Sequence, residues 1–147
     1  MDVVMQTPVG HLPARPFARV DAGDAMWKVV DEMKAKGRGA VLIEEEGALV
    51  GIFTERDLVS RIDHSDILWS HVTVRDVMTP HPTVIRPADT LAEALRRLIQ
   101  GRRRHLPIVD EQGHLQGLLS IRDILTHVAG KFPEETMNLP PTPDHET

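Results

Sequence analysis

Gly51, Thr54 and Asp57 form a Gly-x-x-Thr-x-x-Asp unit, and Gly117, Ser120 and Asp123 form a second one with serine in place of threonine. In each, the glycine lies in an apolar, strand-like run and the hydroxyl residue opens a helix-like one. Such a unit can recognise a sugar and an anion. Glycine lets a ligand come close to the backbone. A helix start offers unpaired N–H groups and a partial positive charge to an anion. A hydroxyl at Thr54 or Ser120 can donate to a phosphate oxygen. A carboxylate three residues later can accept two hydrogen bonds from adjacent ribose hydroxyls. Together these features describe a nucleoside phosphate site. The same spacing is also an N-terminal capping arrangement, which satisfies helix N–H groups with no ligand at all.

A second candidate unit is Arg104-His105-Leu106-Pro107, matched by Arg38-Gly39-Ala40-Val41. An arginine entering a strand can pair bidentately with phosphate, and His105 adds a donor, or a charge if protonated. The bland alternative is a solvated loop. Arg102, Arg103 and Arg104 stand in a row on a chain of net charge -5, which suggests a local anion site rather than a nucleic-acid stripe.

Other chemistries lack their residues. The eight histidines are scattered without HxxxH or HExxH spacing, so no metal site is expected. No GxSxG elbow, Walker loop or GxGxxG is present, and there is no cysteine to act as a nucleophile or form a disulfide. Glu44 to Glu46 read as a solvated turn. No residue set supports an enzyme.

The positioning elements come from a duplication. GALVGIFTERDL at 47–58 recurs as GHLQGLLSIRDI at 113–124, an offset of 66 residues. Upstream the offset is 65: Val20 pairs with Ile85, Asp24 with Asp89, Met26 with Leu91, and Met33 with Leu98. Each copy reads as an extended segment (Phe17 to Val20, or Thr83 to Ile85), an amphipathic helix, two strands joined at Glu45-Glu46-Gly47 or Glu111-Gln112-Gly113, and a last helix opening near Thr54 or Ser120. Asp24 is read as one helix N-cap, and Thr90 with Glu93 as a capping box. The expected fold class is α+β, with two tandem β-α-β-β-α repeats. Copies of this size bury too little surface alone and should pack on each other. The expected division is an N-terminal extension at 1–8, a first repeat at 9–63, a linker at 64–73 carrying Trp69, a second repeat at 74–129, and a flexible tail at 130–147.

Apolar residues at 41%, charged at 27% and aromatic at 3% fit a soluble domain with an aliphatic core. No apolar run is long enough for a membrane span and no secretory leader is visible, so a cytoplasmic location is expected.

The segments VRDVMTPHPTVIRPADTLAEAL, RRRHLPIVDEQGHLQGLLSIRDIL and GAVLIEEEGALVGIFTERDLVSRI resemble CBS domains, over about residues 9 to 129. The first copy departs from the pattern at His11 to Pro16, where the second has Val77 to Pro80, and at Gly39, where the second has His105. The resemblance implies that the copies pair through their sheets with pseudo-twofold symmetry, leave two clefts between them, and dimerise again. It implies a stand-alone regulatory module that needs no cofactor, binds AMP, ADP or ATP, and signals to an effector protein in trans. S-adenosylmethionine or NAD(H) are alternative ligands. By the same resemblance Asp57 and Asp123 would hold ribose, and Thr54 and Ser120 would meet ribose or phosphate. Arg38, Arg56, Arg104, His105 and Arg122 are phosphate candidates. Backbone at Ala18 to Val20, and at Thr83, Val84 and Ile85, would face adenine, with Val41 and Pro107 walling the cleft. A ligand-free interaction module is the competing reading. Nucleic-acid binding through Arg102 to Arg104 is a distant third.

Overall fold

The computed structural model describes residues 2–131; residues 132–147, nearly all of the expected tail, lie outside the described residues. The elements in chain order are α1 (Asp2–Met5), β1 (Ala18–Asp21), α2 (Met26–Lys36), β2 (Ala40–Glu45), β3 (Ala48–Thr54), α3 (Glu55–Ser60), β4 (Thr79–Pro80), α4 (Leu91–Gly101), β5 (His105–Val109), β6 (Leu115–Ser120) and α5 (Ile121–Gly130), with short 3-10 turns at Val9–His11, Trp69–His71 and Val74–Asp76. One sheet runs β1-β2-β3-β4 and the other is the hairpin β5-β6.

Strand β2 shows why the sheets sit where they do. Its run Ala-Val-Leu-Ile is apolar on both faces. Alternation sends Val41 and Ile43 into the first core, with Met26, Val29 and Phe53. Ala40 and Leu42 point the other way, into an apolar layer shared with Val109, Leu115 and Leu118 of the second copy. The two copies are therefore joined sheet to sheet. The second core gathers Ile85, Leu91, Leu98, Leu106 and Ile124.

Each copy also completes the core of the other. The Val9 N–H donates to the Asp89 carbonyl at 2.7 Å and the Gly10 N–H to the Pro87 carbonyl at 2.9 Å; the Val74 N–H donates to the Asp24 carbonyl at 2.9 Å and the Arg75 N–H to the Ala22 carbonyl at 3.2 Å. These bonds are related by the offset of 65 residues, so the exchange is pseudo-twofold. Val9 is buried in the second core and Val74 in the first. Trp69 packs against the first core and meets His64 edge to face at 5.2 Å.

Several elements differ from the sequence expectation. The extended segment Thr83 to Ile85 shrinks to one bridge between Ile85 and Ile108. The Ile85 N–H donates to the Pro107 carbonyl and the Val109 N–H to the Ile85 carbonyl. The next parallel bond would need an N–H from Pro107, which has none. In the first copy the same place is Val41, and β1 pairs with β2 over four residues. The N-cap of α2 is Ala25, not Asp24; the Asp24 carboxylate instead accepts the Asp21 N–H at 2.9 Å. Thr90 does cap α4, accepting the Glu93 N–H at 3.1 Å, but the Glu93 carboxylate pairs with Arg96 and Arg97 rather than returning to the cap, so the box is half made.

Helices α2 and α4 both end on a left-handed residue, Gly37 at φ 61° and Arg102 at φ 52°. The glycine adopts this conformation without a Cβ clash and the arginine does not. Arg102→Gly is therefore expected to stabilise the fold by about 0.5–1 kcal/mol, measured by urea unfolding. An unchanged midpoint would show that this helix end carries no strain.

Candidate functional site

The segment exchange leaves a continuous groove of about 1370 Å³ between the copies, lined by the openings of α3 and α5, the starts of β2 and β5, and the loops at Thr79–Thr83 and Gly101–Arg104. The hydroxyl and acid of both repeated units, Thr54 with Asp57 and Ser120 with Asp123, line it. Thr54 caps α3: its Oγ1 accepts the Asp57 N–H at 3.3 Å, and the Asp57 Oδ2 accepts the Thr54 N–H at 3.0 Å. Ser120 caps α5 in the same way, at 3.1 and 2.9 Å. The capping reading is thus fully realised in both copies, for about 1 kcal/mol at each helix. It does not use up the carboxylates. Each cap consumes Oδ2 and leaves Oδ1 toward basic side chains: Asp57 Oδ1 lies 3.3 Å from Arg61 Nε, and Asp123 Oδ1 lies 3.7 Å from Arg15 Nε.

The arginines paired with these acids, Arg15, Arg38 and Arg61, all come from the first copy. Arg38 Nη2 lies 3.4 Å from Asp123 Oδ2 and 3.5 Å from the Leu118 carbonyl, so a first-copy guanidinium reaches across to the second-copy helix start. Arg15, Arg38, Arg56, Arg61, Arg102, Arg103, Arg104 and Arg122 line the groove against three carboxylates, Glu55, Asp57 and Asp123. A chain of net charge -5 has therefore gathered a positive excess in one concave place. That arrangement suits a multiply charged small anion. Arg102 to Arg104 belong to this concave wall and are themselves exposed.

Among the residues expected at a site, Arg38, Thr54, Arg56, Asp57, Thr83, Arg104, His105, Pro107, Ser120, Arg122 and Asp123 line the groove together. Ala18, Val20, Val41 and Ile85 do not. They are buried core side chains, and pairing of β1 with β2 engages the backbone at Ala18 and Val20. The Ile85 N–H and carbonyl are taken by the second-copy hairpin. Val84 packs in the layer between the sheets, and its carbonyl accepts the Arg97 Nη1 at 2.7 Å. Sequence reasoning missed Arg15, His81 and Arg61. Arg61 stands one helical turn after Asp57, a spacing that could have revealed it. His81 is held at φ 50°, an uncommon conformation for a non-glycine residue.

His105 was expected to add a donor, with charge only if protonated. Burial first, then the positive charge of Arg38, hold its imidazole below the ordinary 6.5; Asp123 pulls the other way, Arg104 lowers it further, and Glu55 opposes least. At neutral pH it is therefore a neutral donor and acceptor. A histidine with a lowered folded-state pKa contributes stability that is present above the unfolded value of 6.5 and lost as pH falls through the folded value. The wild-type chain should thus lose thermal stability faster than His105→Asn between neutral pH and pH ~5.5. Parallel melting curves for the two proteins would contradict this.

Among the described residues no three His, Asp or Glu side chains gather as a metal site requires, and no helix is long and apolar enough to cross a membrane.

The model of the CBS domain matches residues 9–64 and 74–130. The meiotically up-regulated gene 70 protein of Schizosaccharomyces pombe is 34% identical over 108 residues, 74% of this chain and 15% of that protein. The chain spans no more than a third of the length of the first curated relatives it matches. A CBS-domain-containing protein of Agrobacterium tumefaciens superposes with a TM-score of 0.74 at 28% identity, over 84% of this chain and 95% of that one. The structure of CBSX2 in complex with AMP superposes with a TM-score of 0.72 at 25% identity, over 84% of this chain and 97% of that one.

Proposed function

This chain belongs to the CBS-domain family, with two tandem copies, and on that premise we propose that it is a regulatory module that binds an adenine nucleotide in the groove between its repeats. The observation that carries the reading is the convergence, in one groove, of two half-occupied carboxylates at helix starts with arginines from both copies. The carboxylate takes ribose hydroxyls and the arginines take phosphate. Structural likeness to an AMP complex supports the adenine half. AMP, ADP and ATP fit the arginine wall better than S-adenosylmethionine, whose sulfonium brings positive charge.

The regulatory step follows from the cross-copy contacts. Arg38 and Arg15 pair with Asp123 before any ligand arrives. A phosphate would compete for those arginines while ribose takes the acid, so binding exchanges one set of inter-copy contacts for another. That exchange can shift the relation between copies only as far as the ligand prefers one arrangement. The signal then passes to an effector, either a partner protein or further sequence. Calorimetric titration with AMP, ADP, ATP, NADH and S-adenosylmethionine tests the reading. Saturable heat with an adenine nucleotide is expected; none with any of the five leaves only a structural or interaction module.

A homodimer belongs to the same proposal. Val59 on α3 and Leu125 on α5 occupy matched positions in the two copies and are exposed at 79% and 62%. Large aliphatic side chains so exposed at symmetric places suit a twofold contact with a second copy. Val59→Glu with Leu125→Glu is expected to convert a dimer to a monomer in sedimentation. A wild-type monomer at all concentrations, or a dimer that survives the change, rules the surface out.

A further inference from the structure

The two copies are not equivalent beside their capped acids, and the difference lies over the glycine of each repeated unit. In the first copy, β4 covers the edge of β3: Gly51 pairs with Pro80 and Ile52 with Thr79. The Met78 side chain lies directly over Gly51, its Sδ and Cγ filling the place where a Cβ on residue 51 would stand. In the second copy the counterpart of Met78 is Pro13, which is too short to fill that place. The same construction at Gly117 meets only the Ile108 Cδ1, at 3.4 Å. Strand β6 has no ladder partner beyond β5 among the described residues.

The space left open is a cavity of about 550 Å³, walled by Pro13, Ala14, Gly117 and Leu118 and bordered by Asp123 and Arg15, which also line the groove. It therefore opens from the second acid alone. His127, one turn of α5 after Asp123, also lines it, and its Nε2 is buried and has no hydrogen-bond partner among the described residues. The counterpart of His127 in the first copy is Arg61, already engaged with Asp57 and with the Val77 carbonyl at 3.3 Å.

We infer that the chain takes one nucleotide, at the second copy only: the base enters the Gly117 cavity and hydrogen-bonds His127, ribose sits on Asp123, and phosphate turns into the arginine groove. Met78 is the side chain that closes the matching place at Gly51. The order of the three parts follows from which residues border which space: apolar walls and an unpartnered imidazole at one end, the acid at the junction, guanidinium groups beyond it. Burying a polar atom without a partner is costly, so a base that satisfies His127 Nε2 gains more than an apolar filler would.

This inference rests on the nucleotide reading, and calorimetry with AMP and inorganic triphosphate on the intact chain separates the two. Wild type is expected to bind one AMP per chain. Met78→Ala is expected to open the second place and raise that to two. His127→Phe is expected to weaken AMP by about 10-fold, the loss of one neutral hydrogen bond, and to leave triphosphate binding unchanged. Two equivalent AMP sites in wild type, or one site in Met78→Ala, or AMP affinity in His127→Phe equal to wild type, overturns the one-site inference and spares the nucleotide reading. Absence of any AMP binding removes both.

Discussion

Asp123→Asn is expected to weaken AMP binding about 30- to 100-fold, with triphosphate bound as well as before or better. The asparagine keeps an acceptor for the Ser120 N–H, so the cap on α5 survives. What it loses is the negative charge that ribose hydroxyls would meet. Hydrogen bonds to a charged acceptor are worth about 1.5–3 kcal/mol and roughly half that when neutral, so two of them together cost about 2–3 kcal/mol. At 1.4 kcal/mol per tenfold this is the stated range. The opposite sign for triphosphate follows from the same side chain. Asp123 lies within 4 Å of Arg15 and Arg38, and removing its charge frees both for phosphate. A measured loss equal for AMP and triphosphate would mean that the variant has damaged the fold or that Asp123 does not touch the sugar. A melting temperature unchanged within a degree or two would exclude the first explanation.

Phe53→Ala is expected to cost about 3–5 kcal/mol, the largest single stability effect in the molecule. Phe53 is completely buried in the first core, the largest side chain there, and stands immediately before Thr54. Its ring fixes the end of β3 and so the direction in which α3 begins. Domains of this size hold only about 5–15 kcal/mol in all, so the change consumes a large share and should lower the melting temperature by roughly 10 °C. The damage should spread across the groove, because the arginines that meet Asp123 belong to the first copy. A shift of only a degree or two would show that this core relaxes into the cavity, and that the ring does not set the cap.

How much of this could be read from residues alone depends on range. The duplication was legible because the offset of 65 or 66 carries chemistry as well as apolar pattern: Gly51, Thr54 and Asp57 recur as Gly117, Ser120 and Asp123. The helix starts were legible because a cap is local, three residues wide. Long-range placement was not. Nothing near Val9 or Val74 says that each docks on the opposite copy, since both are short apolar residues in loops that gain meaning only from distant carbonyls. Arg15 was missed for the same reason: it lies in the stretch His11 to Pro16 where the first copy departs from the second, and it joins the site only through that exchange. Ala18, Val20, Val41 and Ile85 were placed at the cleft by analogy, yet their alternation within strands already marked them as inward-facing. The shortened pairing at Ile85 had a legible cause in Pro107, which cannot donate to the ladder. Asp24 lost its cap role to a competing turn, where its carboxylate accepts the Asp21 N–H. That competition between cap and turn is the common fate of short acidic side chains.

The asymmetry between copies is the part least visible in sequence. Met78 stands over Gly51 where the second copy has Pro13, and Arg61 stands where it has His127, and on the one-site proposal these two differences separate a closed place from an open one.

The most direct test of the nucleotide reading is a crystal structure of the full chain grown with AMP. The expected result is a nucleotide between the repeats, with its ribose hydroxyls on the Asp123 carboxylate and its phosphate among the groove arginines. A groove free of nucleotide at saturating AMP, or AMP bound away from both helix starts, would contradict it.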